Sequence, residues 1–236
     1  MLGVSTYCLH HLPLGEALEQ LSSITNVVEV MADGPHYFTD TETLENFSLR
    51  YSVHTPFRGI NIACLFEPIR KASVDVLTGC FGIASGIAHD FVIHPGYFGW
   101  EEERALSERQ LLVSLGELNA AVEEFSVNIH IENMANHNFF FLRTPEDLPL
   151  FDGTGFALDT GHANLNGCLS EFLEFPIGHM HLHDNSGLRD SHSPIGEGAI
   201  DFGPVMKAVR RNHATPVIEV NTLEGVKKSI RALAEL

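Results

Sequence analysis

The chain has 236 residues, of which 44% are hydrophobic and 19% charged, a balance typical of a globular protein that buries a substantial core. Its 14 Lys and Arg residues stand against 31 Asp and Glu residues, and the formal net charge of −17 disfavours phosphate polymers such as nucleic acids as partners, unless bound cations invert the field locally. The same acidity would equally serve solubility alone. The sequence has neither a basic, apolar leader nor a run of about 18 apolar residues, so we expect no membrane segment and a cytoplasmic location.

Short apolar runs alternate with helical patterns along the chain, which is typical of repeated βα units around a parallel sheet. The predicted strands are 3–9, 27–31, 51–56, 90–94, 127–132, 156–160, 177–184 and 216–220. The predicted helices are 14–24, 41–47, 67–88, 103–125, 145–150, 168–175, 203–212 and 223–236. We expect Thr144 and Asp201 to cap the helices that follow them, and the glycines between 79 and 86 to break the third long pattern or to let it pack closely. Eight strands, each followed by a helical segment, predict an α/β fold, a single (β/α)8 TIM barrel over residues 1–236.

The four cysteines carry no recognisable motif. Cys8, Cys64, Cys80 and Cys168 are widely spaced and form no CxxC pair. A zinc knuckle or a dithiol redox motif is therefore disfavoured, and reduced thiols are the simplest expectation.

Polar side chains recur at one end of the predicted barrel. Six successive strands carry a metal-competent side chain near the carboxyl end: His54, His94, Glu132, Asp159, His181 and Glu219. That end is the catalytic face of a closed barrel, and residues at one level converge there. Loops above the same mouth add His162, Asp190 and His192. A single histidine at a strand end is more often a hydrogen-bonded residue than a ligand, but a set of six reverses that expectation.

The chemical types of the candidate ligands indicate which metal ions would bind. Imidazole and carboxylate groups without cysteine suit Zn²⁺, Mn²⁺ or Fe²⁺, and zinc and manganese are our leading candidates. Nine candidate ligands exceed the need of one ion, so we expect one to three divalent ions per chain, with a single ion held by supporting residues as the competing arrangement.

The remaining histidines fall into three groups. His130 and His179 lie two residues before Glu132 and His181, which places them one layer deeper, in packing or supporting roles. His183 shares a strand face with His181 and competes with it as a ligand. Surface or substrate-edge positions are expected for His10, His11, His36, His89, His137 and His213.

Seven motifs, which span nearly the whole chain, resemble those of the xylose isomerase-like barrels, the superfamily that holds sugar isomerases and epimerases together with endonuclease IV. The motifs are SVHTPF, FVIHPG, HIEN, ALDTGHA, HMHLHDN, RDSHSPIGEG and VIEV. The resemblance implies that the metal core shared with sugar epimerases is formed by Glu132, Asp159, His181 and Glu219. It implies that the further ligands of an endonuclease IV-like three-zinc cluster are His54, His94, His162, Asp190 and His192. It also favours His181 over His183.

The leading hypothesis is a divalent metal-dependent isomerase or epimerase acting on a small polyhydroxy or phosphorylated substrate, either a sugar or a sugar phosphate. The ion would stabilise an enediolate. Glu132 and Glu219, facing each other across the mouth, would serve as the carboxylate acid and base that remove and return the proton. Arg58, Arg143 and Arg189 are candidates for gripping a phosphate, although no spacing ties any of them to the site.

Two alternatives stand beside this hypothesis. The first is an endonuclease IV-like multi-zinc phosphoesterase that cleaves DNA at abasic sites, in which clustered ions activate water. The ligand count motivates it, whereas the net charge and the loops MADGPH and TPFRGINIA disfavour DNA. The second is a barrel that binds metal without turnover, since fold alone guarantees no chemistry. Nothing in the sequence indicates the oligomeric state.

Overall fold

Eight parallel strands close into a barrel in sequence order in the computed structural model, which describes residues 2–236. The strands are β1 (Gly3–Ser5), β2 (Val27–Met31), β3 (Arg50–His54), β4 (Ala88–Ile93), β5 (Asn128–Glu132), β6 (Gly155–Asp159), β7 (His179–Leu182) and β8 (Thr215–Ile218). Each strand pairs with the next, and β8 pairs with β1 to close the sheet. The predicted (β/α)8 TIM barrel is confirmed.

Helices of unequal length connect the strands. The α-helices are α1 (Leu14–Ser22), α2 (Glu42–Glu45), α3 (Glu67–Ala84), α4 (Arg104–Phe125), α5 (Thr160–Leu165), α6 (Leu169–Phe172), α7 (Phe202–Asn212) and α8 (Leu223–Leu233). Short 3-10 helices span Thr6–Leu9, Gly34–His36, Glu101–Glu103 and Pro145–Phe151. Within the described residues 2–236, no helix has both the length and the apolar character needed to cross a bilayer.

Most predicted bounds agree within a few residues, and the exceptions have local causes. The first strand ends at Ser5 rather than at residue 9, because the Ser5 side chain accepts a hydrogen bond from the Tyr7 amide and begins a 3-10 turn. The segment predicted as a helix at 145–150 is a 3-10 helix, and it contains Pro149, which cannot donate a backbone hydrogen bond. The helix predicted at 168–175 shortens to the single turn of α6.

The two predicted caps have different outcomes. Asp201 accepts a hydrogen bond from the Gly203 amide at 2.9 Å and caps α7, as predicted. Thr144 is the N-cap residue of the helix that begins at Pro145, as predicted, but its side chain makes no capping hydrogen bond. The pattern predicted as a helix over 67–88 ends at Ala84, and its glycines favour close packing, since a Cβ added at Gly82 would lie only 3.2 Å from the Phe125 ring of α4.

The apolar core lies between the barrel wall and the helices. The outward faces of the strands contribute residues such as Phe91 and Leu158, which join Phe81 of α3 and Leu111 of α4 in one buried cluster. The inside of the barrel is lined differently, because polar side chains from several strands point into it. They include the completely buried Ser5, Glu29 and His179, where most barrels carry branched apolar residues. The four cysteines are free thiols, as expected.

Candidate metal centre

The nine predicted ligands lie at the carboxyl end of the barrel, where they form three adjacent groups. In each group one nitrogen or oxygen atom per residue lies within 4.8 Å of the others. The rim group contains His54, His94 and Glu132; the central group contains Glu132, Asp159, His181 and Glu219; the outer group contains His162, Asp190 and His192, together with His183.

Glu132, the last residue of β5, links the rim and central groups. Its Oε2 atom lies 3.2 Å from Nε2 of His54 and 3.1 Å from Nε2 of His94. Its Oε1 atom lies 2.8 Å from Nδ1 of His181. The side chain is buried, so one carboxylate with two available oxygens serves both groups.

The central group is built around His181 of β7. Besides Glu132, its Nδ1 atom faces Oε2 of Glu219 at 3.3 Å and Oδ2 of Asp159 at 3.9 Å. The second oxygen of Glu219 accepts a hydrogen bond of 3.5 Å from the Ser5 hydroxyl. Three carboxylates and one imidazole nitrogen thus meet at one place. They come from β5, β6, β7 and the residue that follows β8.

The outer group lies on loops above the strands. Oδ2 of Asp190 lies 3.2 Å from Nε2 of His162 and 3.3 Å from Nε2 of His192. His192 has a left-handed backbone, with φ of 41°, which turns its ring towards the barrel mouth. The loop that carries Asp190 and His192 therefore forms part of the wall above the strands.

Three of the histidines are oriented in the same way, by a hydrogen bond to a backbone carbonyl. The Nδ1 atoms of His54, His162 and His192 lie 2.9 to 3.0 Å from backbone carbonyl oxygens, those of Thr55, Asn133 and Glu219. A ring that donates Nδ1–H to a carbonyl presents the lone pair of Nε2 on its other side, which is the usual arrangement of metal-binding histidines. In all three residues Nε2 is the atom that faces a carboxylate of the site.

Ionisation of the site is governed by burial and by these close contacts. Burial alone would raise the pKa of Glu132, but the charge of His181 and hydrogen bonds from three imidazoles outweigh it, and the pKa lies well below its usual value. Burial disfavours the imidazolium form of His54, yet Glu132 and Glu219 raise its pKa to about 9. The pKa of His192 is raised to about 9 in the same way, chiefly by its hydrogen bond with Asp190, which outweighs burial. Without a cation, the carboxylates are therefore neutralised by protonated imidazoles.

The donor set fits a divalent ion. Each group combines imidazole nitrogen with carboxylate oxygen, and both zinc and manganese accept this combination of ligands. A bound cation would replace the imidazolium protons that otherwise balance the carboxylates. The residues of the three groups could hold one to three ions.

His183, which the sequence left in competition with His181, belongs to a different group. Its Nε2 atom lies 2.9 Å from Oδ1 of Asp159, and its ring stacks on that of His192 with 3.9 Å between centroids. The ring occupies the space beside Gly161, where any added Cβ would overlap it. His181 and His183 therefore do not share a position in the central group.

The deeper histidines lie where the sequence placed them. His179 is completely buried below His181, and Nε2 of His130 lies 3.1 Å from Oδ1 of Asp90 at the lower end of the barrel. His36, expected near the surface, is instead buried, with its ring nitrogens 3.0 Å from the Thr6 hydroxyl and 3.1 Å from the Leu12 carbonyl. That expectation is wrong, because Thr6 in the 3-10 helix after β1 and Leu12 in the segment that follows it both contact the ring.

Sequence reasoning missed Glu29. This residue of β2 is completely buried and contacts His181 from below. A signal was present, because a single glutamate interrupts the apolar strand VVEVM, and a charge in such a position needs a buried partner.

A cavity of about 350 Å³ opens above the site. Its wall combines the ligands with Tyr7, Phe57, Tyr97 and Phe140, and Arg58 also lines it. Arg143 lines a separate cavity, beside Arg104 and Asp147. Of the three arginines that the sequence suggested for a phosphate, Arg58 is the one placed at the candidate site.

Comparison with known proteins agrees with this architecture. Residues 41–236 match the family model described as "Xylose isomerase-like TIM barrel". The chain belongs to this family. Among the relatives of this xylose isomerase-like barrel is the uncharacterized protein MJ1614 of Methanocaldococcus jannaschii, which is 36% identical over 218 residues, covering 88% of this chain and 86% of the relative.

Solved structures share the fold. One is described as a D-tagatose 3-epimerase-like protein. It superposes with a TM-score of 0.91 at 28% identity, over 99% of this chain and 96% of that one. Another is the IolI protein with a bound zinc atom, which has a TM-score of 0.81 at 17% identity over 99% and 96% of the two chains. This xylose isomerase-like barrel therefore shares its fold with proteins named for sugar epimerisation and with one that binds zinc.

Proposed function

We propose that the protein is a divalent metal-dependent isomerase or epimerase acting on a small polyhydroxy carbonyl compound, a sugar or a sugar phosphate. The observation that carries the proposal is the pair Glu132 and Glu219, whose carboxylates both contact Nδ1 of His181 at 2.8 and 3.3 Å below a cavity of about 350 Å³. The likeness to the D-tagatose 3-epimerase-like protein supports this class of reaction.

The two glutamates would carry the proton. One carboxylate removes the proton from the carbon next to the substrate carbonyl, and the other returns a proton to form the isomer or epimer. Glu132 reaches the centre from β5, with Oε1 2.8 Å from Nδ1 of His181. Glu219 is held by the Ser5 hydroxyl and reaches the same centre from the opposite wall. A bound divalent cation would stabilise the negative charge of the enediolate that develops on the substrate oxygens.

The cavity would hold and shield the substrate. Its aromatic side chains, Tyr7, Phe57, Tyr97 and Phe140, would exclude water from the reacting carbon and pack against the apolar face of a sugar. Arg58 stands at the same wall, with its guanidinium 5.8 Å from the centre of the Phe57 ring. A phosphorylated substrate would place its phosphate against this guanidinium.

The test is exchange of the substrate proton with solvent. Purified protein loaded with Mn²⁺ or Zn²⁺ is incubated in deuterated water with ketohexoses, ketopentoses and their phosphates, and incorporation of deuterium next to the carbonyl is followed by mass spectrometry. Glu219→Gln should abolish exchange while the metal content, measured in parallel, is retained. Retained exchange in this variant would refute the role of Glu219, and absence of exchange with every compound would count against the reaction class.

A second candidate is phosphoester hydrolysis by a multi-zinc centre. The observation that favours it is the presence of the outer group, with Asp190 between His162 and His192 at 3.2 and 3.3 Å, beside the rim and central groups. Adjacent ions can activate water and stabilise a leaving oxygen. Nicking of an abasic DNA duplex by the zinc-loaded protein at low salt would support this candidate. If the protein catalyses neither nicking nor exchange but still binds metal, a binding role without turnover follows.

A further inference from the structure

Glu29 is a completely buried carboxylate inside the barrel, directly below the central group. Its Oε1 atom lies 2.7 Å from Nε2 of His181. Its Oε2 atom lies 2.7 Å from Nε2 of His179 and accepts a hydrogen bond of 2.9 Å from the Ser52 hydroxyl. Three side chains from β3 and β7 thus surround one carboxylate of β2.

A buried carboxylate is expensive unless its surroundings compensate for lost water. Both oxygens of Glu29 have close partners, because Oε1 faces Nε2 of His181, whereas Oε2 faces Nε2 of His179 and accepts from Ser52. A carboxylate in these surroundings is a hydrogen-bond acceptor. Nε2 of His181 therefore carries the hydrogen of the contact that joins the two residues.

The contact with His181 crosses the barrel. β2 and β7 are separated by β8 and β1 in the closed sheet, and the two residues are 152 positions apart in sequence. The ring of His181 is consequently held on one side by Glu29 and faces Glu132, Asp159 and Glu219 on the other. Its rotation is fixed from the opposite wall rather than by its own strand.

His181 also differs from the other oriented histidines in the kind of partner it has. The rings of His54, His162 and His192 are oriented by backbone carbonyls through Nδ1. His181 uses the opposite nitrogen and a charged carboxylate. A carboxylate partner raises the basicity of the ring and so strengthens it as a metal ligand.

We propose that Glu29 is a positioning residue that holds a hydrogen on Nε2 of His181, so that Nδ1 presents its lone pair to a cation of the central group once the cation displaces the hydrogen that Nδ1 shares with Glu132. This inference rests on the metal site of the proposed function. Glu29 contacts the nitrogen of His181 that lies opposite the one facing Glu132, Asp159 and Glu219, so it would act on the central group through the His181 ring. A role in orienting His181 would explain why the otherwise apolar strand β2 carries one charged residue.

The test compares zinc affinity in two variants. Glu29→Gln keeps the shape of the side chain and removes its charge. Ser52→Ala removes a neighbouring hydrogen bond to Glu29 and leaves the contact with His181 intact. Zinc affinity is measured by competition with a chromophoric chelator, and circular dichroism checks that each variant is folded. We expect Glu29→Gln to lower affinity at the central group about 10- to 100-fold, and Ser52→Ala to lower it less than about threefold.

Nuclear magnetic resonance of the zinc-loaded wild-type protein, with ¹⁵N-labelled histidine, gives a second readout that does not depend on any variant. We expect the His181 ring to carry its hydrogen on Nε2 and to show a hydrogen-bonded resonance, which is lost or shifted in Glu29→Gln. A hydrogen on Nδ1 in the wild type, or equal zinc affinity in the folded Glu29→Gln variant, would overturn the inference and leave the proposed function standing. A wild-type protein that binds no divalent ion would overturn both.

Discussion

Glu132 and His181 are joined at 2.8 Å between Oε1 and Nδ1, and this contact connects the rim group to the central group. The other oxygen of Glu132 is shared between His54 and His94. Because one carboxylate belongs to both groups, we expect metal binding at the two groups to depend on the same residue.

Glu132→Gln should therefore remove more than one ligand contact. The amide keeps one neutral oxygen and loses the charge, so we expect at least one equivalent of metal to be lost and deuterium exchange to fall about 10³-fold or more, since general base and electrostatic contributions are lost together. Elemental analysis and the exchange assay measure the two effects. Glu123→Gln, at an exposed position on α4, is the control. Full metal content with normal exchange would contradict the bridging role.

The roles of His181 and His183 can be distinguished by making the same substitution at each position. His181→Asn removes the nitrogen that faces three carboxylates, and we expect zinc affinity at the central group to fall about 100-fold or more. His183→Asn removes the ring that stacks on His192 and a contact with Asp159 of the central group, so we expect its main effect at the outer group and a smaller effect at the central group. Stepwise zinc titration resolves the two cases. An equal loss at the central group in both variants would show that the histidines are interchangeable.

The space for His183 depends on Gly161. A Cβ at this position would overlap the imidazole, because the three heavy atoms nearest to it all belong to the His183 ring. Gly161→Ala should destabilise the metal-free protein by about 1–3 kcal/mol through overpacking. Combined with His183→Ala it should cost less than the sum of the two single changes, since the obstructing ring is gone. Urea unfolding of the four proteins gives the coupling energy, and additive effects would argue against this explanation.

The barrel and the clustering of its candidate ligands at one end were predictable because both follow from local patterns. Strand and helix periodicity identified all eight strands, and the side chains of parallel strands at one level necessarily meet at one mouth. Partners across the barrel were not predictable. The contact between Glu29 and His181 spans 152 residues. The separate positions of His181 and His183 depend on Asp159 of β6 and Gly161 of α5. His36 was missed for a similar reason, since its partners Thr6 and Leu12 lie in a preceding segment.

Arg58 offers a test of whether the substrate carries a phosphate. It is the arginine that lines the cavity over the candidate site, and loss of a charge-assisted hydrogen bond costs about 1.5–3 kcal/mol. Arg58→Gln should therefore raise KM for a phosphorylated substrate about tenfold or more and leave KM for the unphosphorylated sugar unchanged. Arg143→Gln, which alters a different cavity, is the matched control. Equal effects on both substrates would place the phosphate elsewhere or exclude it.

His36 makes the stability of the chain depend on pH. Burial lowers its pKa and outweighs the hydrogen bond to Leu12, which acts in the opposite direction. The neutral ring both donates to the Leu12 carbonyl and accepts from the Thr6 hydroxyl, so His36→Gln should cost about 1–3 kcal/mol at pH 7.5. As the pH falls below about 6.5, the ordinary pKa of histidine, the unfolded wild-type chain takes up a proton that the folded chain resists. The free energy of unfolding of the wild-type protein therefore declines, whereas the variant, which lacks His36, does not show this decline. The difference in unfolding free energy between wild type and variant, measured by urea titration with chelator present, should narrow between pH 7.5 and pH 5. A constant or widening difference would mean that His36 is protonated in the folded chain.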